Sequence, residues 1–171
     1  MSHPFMLLLS RERTFLFWIS LSITAIGIVV LGFADPGRVN GKGPRVVGFE
    51  LAGTAAKAGQ IMEAWGDLGR TVAGFNLGFD YLFILGYSTA MTLACVWASQ
   101  RYSRSMLIEL GAVLAWLQGV AGALDCTEDA SLLVMLFHGA SNRAAAVARF
   151  SACGKFGLLV LGLVYILVAV I

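Results

Sequence analysis

The stretch TFLFWISLSITAIGIVVLGFA, residues 14–34, carries no charged side chain and is long enough to cross a lipid bilayer as one helix. A crossing takes about 20 apolar residues, because a helix rises about 1.5 Å per residue through a hydrocarbon core about 30 Å thick. The turn residues Asp35, Pro36 and Gly37 follow directly and end the segment. No cleavage site of a secretory signal closes the run, so the stretch predicts a retained first transmembrane helix.

The composition of the whole chain agrees with this first segment. Hydrophobic residues make up 58% of the 171 residues and charged residues only 13%, whereas soluble domains are about 25% charged. A soluble domain of this composition could not cover its surface with polar groups, so we expect an integral membrane protein, in a cell (inner) membrane. The net charge of +2 is small. It gives no reason to expect a nucleic-acid partner, and the basic residues are more simply interpreted as flanks of membrane segments. We expect membrane lipids as the surroundings.

Three further segments are apolar enough to span a bilayer, and they cover residues 72–98, 106–128 and 150–171. The second contains Asp80 as its one charge, and the core of the third contains only Glu109. Together with the first segment they predict an all-α membrane protein, a single integral membrane domain over the whole chain that forms a four-transmembrane-helix bundle.

A different pattern occupies residues 49–65, between the first two spans. Its apolar residues recur at helical spacing and its charged residues lie on the other side, which is typical of an amphipathic helix. We expect this interfacial helix either to lie along the bilayer surface or to cap the bundle. The apolar runs 131–137 and 144–150 continue past the third span and precede the fourth. They predict helical extensions on the same membrane face.

The depths of three charged residues coincide. Because successive spans alternate in direction, Asp80, Asp125 and Lys155 each lie about one bilayer thickness from the opposite face. We therefore expect them in one layer near one interface, on the side of the loop that carries Glu50. Charges so close to hydrocarbon are costly unless they are paired or hydrated, so they should point into the bundle.

Helical spacing adds further polar residues to this layer. Gln118, Asp125 and Glu128 are separated by seven and three residues and share a helix face; Asp80 and Tyr87 share another, and Asp129 lies close to the first. The predicted polar pocket comprises Glu50, Asp80, Tyr87, Gln118, Asp125, Glu128, Asp129 and Lys155.

The function of such a pocket stays open at this stage. Its acids outnumber its bases, and a surplus carboxylate in a low-dielectric site needs a metal, a proton or a cationic ligand. If a metal binds, Asp80, Asp125 and Glu128 are the expected ligands, and their oxygens suit a hard cation. The chain contains no motif that identifies a cofactor or a catalytic nucleophile.

Three classes of protein fit these observations, beside a salt-bridge network that serves only stability. The first is a polytopic membrane protein whose pocket binds a small ligand, a lipid headgroup or a cation. The second is a membrane-embedded lipid-modifying enzyme that uses the carboxylates as acid and base or as metal ligands. The third is an accessory subunit of a larger membrane complex, or a homo-oligomer, because small residues on the spans favour close helix contacts.

Overall fold

The computed structural model describes residues 3–170, and it is helical with no β-strand in that range. Ile171, where the last predicted span ends, lies outside the described residues. After a 3-10 turn at Pro4–Met6, the helices are α1 Ser10–Phe33, α2 Pro36–Val39, α3 Val46–Glu50, α4 Ala55–Ser99, α5 Ser105–His138 and α6 Asn142–Val170. Of these, α1, α4, α5 and α6 are long and apolar enough to cross a membrane. The all-α class and the four long apolar helices are thus confirmed.

The segment expected at residues 49–65 is divided differently in the structure. Its first residues belong to α3, the chain then breaks, and helix resumes at Ala55, where Thr54 accepts a hydrogen bond from the Lys57 N–H. The helix then runs on into the second span, so both form α4. Gly66 interrupts α4 with φ 60° and ψ −168°, a backbone conformation that only glycine adopts readily. Residues 55–65 therefore form a separate arm above the span.

The arm packs on α3 and on the ends of α5 and α6 through one apolar cluster. Trp65 is fully buried; its ring meets Phe49 edge to face at a centroid distance of 5.2 Å, and its Nε1 donates to the Pro44 carbonyl at 2.7 Å. Leu132 and Met135 of α5 are also fully buried in this cluster. Burial of one such large side chain stabilises the fold by about 1.5–3 kcal/mol. The helical extensions and the arm therefore form one small head.

A second apolar cluster holds the other end of the bundle, where α4, α5 and α6 meet around Cys95, Val96, Leu114, Ala115 and Tyr165. Helix α5 packs against both α4 and α6, while α1 packs mainly on α4. Glycines allow this last contact: a Cβ on Gly86 would lie 2.8 Å from Ile23 Cγ2. Helices α1 and α6 both pack on α4 and line a cleft together with it. The charged layer lies between the two apolar clusters.

Candidate functional site

Lys155 is the centre of a buried ion cluster. Its Nζ donates to Asp125 and lies 2.8 Å from Glu128 Oε2 and 4.0 Å from Glu50 Oε2. Lys155 is 5% exposed, Asp125 3% and Glu128 0%. Helix α6 supplies the lysine, α5 the two nearest carboxylates, and α3 the third. The lysine therefore ties two long helices and the connecting loop together.

Tyr87 completes the hydrogen bonding of Asp125. Its hydroxyl donates to Asp125 Oδ2 at 2.7 Å, while Lys155 donates to Oδ1. Both carboxylate oxygens of Asp125 thus have a donor. These two hydrogen bonds hold the Asp125 side chain between α4 and α6.

A second carboxylate group lies on the other side of Asp125. One side-chain oxygen each from Asp80, Asp125 and Asp129 falls within 4.8 Å of the others. Asp80 comes from α4, and the other two come from successive turns of α5. The metal ligands expected from the sequence included Glu128, but the structure turns Glu128 toward Lys155 and brings Asp129 to the other two aspartates.

Glu50, at the end of α3, bounds the cluster on the side of that helix. Its residue is 7% exposed, and burial raises the pKa of its carboxyl from the ordinary value of 4.5, although the nearby Lys155 opposes that shift. The loop that positions it is held by Asp35, whose side chain accepts from the Arg38 and Val46 N–H groups, both at 3.2 Å. Asp35 therefore fixes the starts of both α2 and α3.

Several buried carboxylate oxygens in this layer have no hydrogen-bond partner within residues 3–170. They are Glu50 Oε2, both oxygens of Glu128 and Asp129 Oδ2, although Lys155 lies within ion-pair distance of Glu128 Oε2 and Glu50 Oε2. A buried unpartnered polar atom costs about 1–3 kcal/mol, and more when it is charged. The cluster is therefore incomplete with protein groups alone.

The cleft between α1 and α6 leads to this cluster. It has a volume of about 700 Å³, and its charged end is lined by Glu50, Asp80, Asp125 and Lys155. The rest of its wall is mostly apolar and includes Phe17 and Leu21 of α1, Met91 and Ala94 of α4, and Leu163 and Ile166 of α6. One continuous space thus joins buried charges to an apolar groove along the long helices.

Gln118, which the sequence predicts in the pocket, does not line the cleft. It is 0% exposed, and its amide nitrogen donates to the Leu158 carbonyl of α6 at 3.2 Å. It therefore joins α5 to α6. The other seven predicted pocket residues lie in the charged layer.

Asn76 is a residue that the sequence reasoning missed. Its amide donates to the carbonyls of Leu31 and Ala34 at 3.0 and 2.9 Å, which holds the end of α1 against α4 and shapes the upper cleft. The spacing contained a signal, since Asn76 lies four residues before Asp80 on the same face of α4.

The fold and the site define a class: a bundle with four helices long and apolar enough to cross a membrane, and with a buried lysine–carboxylate cluster at the end of an apolar cleft. Comparison with protein-family models, with curated proteins and with solved structures finds no match to this chain. The function must therefore be argued from the site.

Proposed function

We propose that this protein is an integral protein of a cell membrane that binds one membrane lipid in the cleft between α1 and α6, with the lipid headgroup at the Lys155 cluster. The observation that carries the proposal is the continuity of the cleft, which joins buried charges to an apolar groove. A lipid has the same division into a polar end and an apolar chain.

The depth of the cluster supports a headgroup at that position. Asn76 marks the end of α1 through its bonds to Leu31 and Ala34. Asp80 is one helical turn further along α4, about 6 Å below that level. If the uncharged stretch of α1 matches one hydrocarbon core, Asp80 lies about 6 Å inside the edge of that core, close to the level at which lipid headgroups begin.

The dimensions of the groove support an acyl chain. The cleft extends along α4 from Asp80 to Ala94, a rise of about 21 Å at 1.5 Å per residue. One leaflet of the hydrocarbon core is about 15 Å thick. A groove of this length accommodates the chain of a lipid that stands parallel to the helices, and its opening between α1 and α6 allows entry from the bilayer.

The volume and chemistry of the cleft also match a ligand site. Pockets for small molecules are typically about 300–1,000 Å³, mostly apolar, with a few convergent polar groups. The cleft fits this range at about 700 Å³. Lys155 and Asp80 face the same end of it. They offer a donor and an acceptor to one headgroup.

Native mass spectrometry of the full chain, released from mild detergent, tests the proposal. We expect a stoichiometric phospholipid adduct that survives delipidating washes. In the variant Ala94→Trp the added ring should fill the half-buried groove wall, and the adduct should be lost while the protein still elutes as a folded species.

Ala123→Trp is the matched control, because Ala123 is exposed on α5 and does not line the cleft. It should keep the adduct. Equal lipid retention in both variants, or a wild-type protein without any lipid adduct, would contradict the proposal.

A further inference from the structure

The carboxylates of the site divide into two groups around Asp125. Lys155 lies against Asp125, Glu128 and Glu50. On the other side, Asp80 and Asp129 receive no ion pair from any residue in the range 3–170. Lys155 therefore forms no ion pair with the carboxylates of Asp80 and Asp129.

Asp129 shows that the second side lacks a partner. The residue is 1% exposed, and its Oδ2 has no hydrogen-bond partner within the described chain. Its carboxylate nevertheless lies close to Asp80 and Asp125, with one oxygen of each residue within 4.8 Å of the others. Three buried carboxylates so close together need a positive charge between them, which a bound cation or a proton can supply.

We propose that Asp80, Asp125 and Asp129 bind one hard divalent cation of the size of Ca²⁺. Carboxylate oxygens are the preferred ligands of such ions. Two ligands on opposite sides of Ca²⁺ lie up to about 5.2 Å apart, against about 4.2 Å for Mg²⁺, given their usual bond lengths. The three oxygens lie within 4.8 Å of one another, so a single Ca²⁺ ion can reach all of them.

Three carboxylates do not fill the coordination sphere of Ca²⁺, which takes about 6–8 oxygens. Asp80 and Asp125 line the cleft, whereas Asp129 lies behind them. The remaining positions of the ion therefore face the cleft and are open to water or to an anionic oxygen of a bound headgroup. This last step rests on the proposed lipid function; the cation site itself does not.

Equilibrium dialysis of the purified, chelator-stripped protein against radioactive Ca²⁺ tests the site with the metal alone. We expect one Ca²⁺ per chain, with Mg²⁺ competing at least about tenfold more weakly, and binding below about 1 mM, the weak end of protein calcium sites. Asp129→Asn should weaken binding by about tenfold or more. Glu109→Gln is the control, because this exposed carboxylate lies outside the cluster.

Thermal unfolding gives a second measurement for the same variants. Ca²⁺ should raise the melting temperature of the wild type and of Glu109→Gln, and it should leave that of Asp129→Asn unchanged. Without metal, Asp129→Asn should be at least as stable as the wild type, because it removes an unpaired buried charge.

Failure of Ca²⁺ to bind the wild type, or equal binding by Asp129→Asn, would overturn the inference. These results are separable from the lipid proposal. A chain that retains lipid and binds no Ca²⁺ would refute only the cation site, whereas a chain that binds Ca²⁺ and retains no lipid would refute only the lipid function.

Discussion

Replacement of Lys155 by Met removes the positive charge around which three helices converge. The apolar stem of the side chain is largely preserved, so the effect reports on the charge. Lys155 Nζ lies 4.0 Å from Glu50 Oε2 and 2.8 Å from Glu128 Oε2. At an effective dielectric constant of about 20, the attraction to Glu50 alone is about 4 kcal/mol, and the shorter contact contributes more.

The net loss is smaller than the sum of these attractions. Removing the ammonium also removes the cost of burying it, and the carboxylates can take up protons. Loss of one partner of a buried ion pair typically costs about 3–5 kcal/mol. We expect Lys155→Met to lower the free energy of unfolding by this amount, measured by sodium dodecyl sulfate titration of the protein in mixed micelles.

A double variant separates the ion cluster from side-chain packing. Lys155→Met combined with Glu128→Gln should cost less than the sum of the two single changes, with a coupling of about 1–3 kcal/mol. Lys57→Met is the control, because Lys57 is exposed on the arm; its effect should stay within about 0.5 kcal/mol. A loss below about 1 kcal/mol for Lys155→Met, or strict additivity in the double variant, would refute the view that this lysine holds the cluster together.

Three further perturbations test the surrounding structure. Glu50→Gln should change the pH dependence of the free energy of unfolding. Burial raises the pKa of Glu50 above 4.5, so its carboxyl stabilises the folded state at low pH and loses that contribution as pH rises through the raised pKa. Unfolding titrations at several pH values should therefore show that the stability of the variant, relative to that of the wild type, increases with rising pH. Parallel pH profiles of the two proteins would contradict this. Asn76→Ala removes two hydrogen bonds to the end of α1 and should cost about 1–3 kcal/mol in the same unfolding titration; an unchanged midpoint would count against it. Gly86→Val should lower stability by about 1–3 kcal/mol and loosen α1, because even a Cβ would lie 2.8 Å from Ile23 Cγ2; cross-linking of Cys pairs between α1 and α4 would detect the separation, and an unchanged yield would exclude it.

The long helices were predictable because hydrophobic length is a local property. The absence of charge in residues 14–34 suffices for α1, and the chain direction then places Asp80, Asp125 and Lys155 in one layer. Their common depth in the structure follows from the helix rise. The joining of residues 55–65 to the second span was not predictable, because it depends on how the chain passes through Gly66.

Which carboxylate contacts which partner also could not be predicted from the sequence. Glu128 and Asp129 are adjacent, and helical spacing places both near the face of Asp125. Their assignment, Glu128 to Lys155 and Asp129 to Asp80, depends on the rotation of α5 against α4 and α6. The cleft is likewise a property of packing, since it exists because α1 rests on α4 and leaves a gap toward α6.

The most direct test of the account is a crystal structure of the protein grown from a lipid mesophase. We expect elongated lipid density between α1 and α6, with its polar end within hydrogen-bonding distance of Lys155 or Asp80 and its chain running toward Ala94. A structure in which ordered lipids cover the outer surfaces while α1 closes against α6 and the cleft is absent would contradict it.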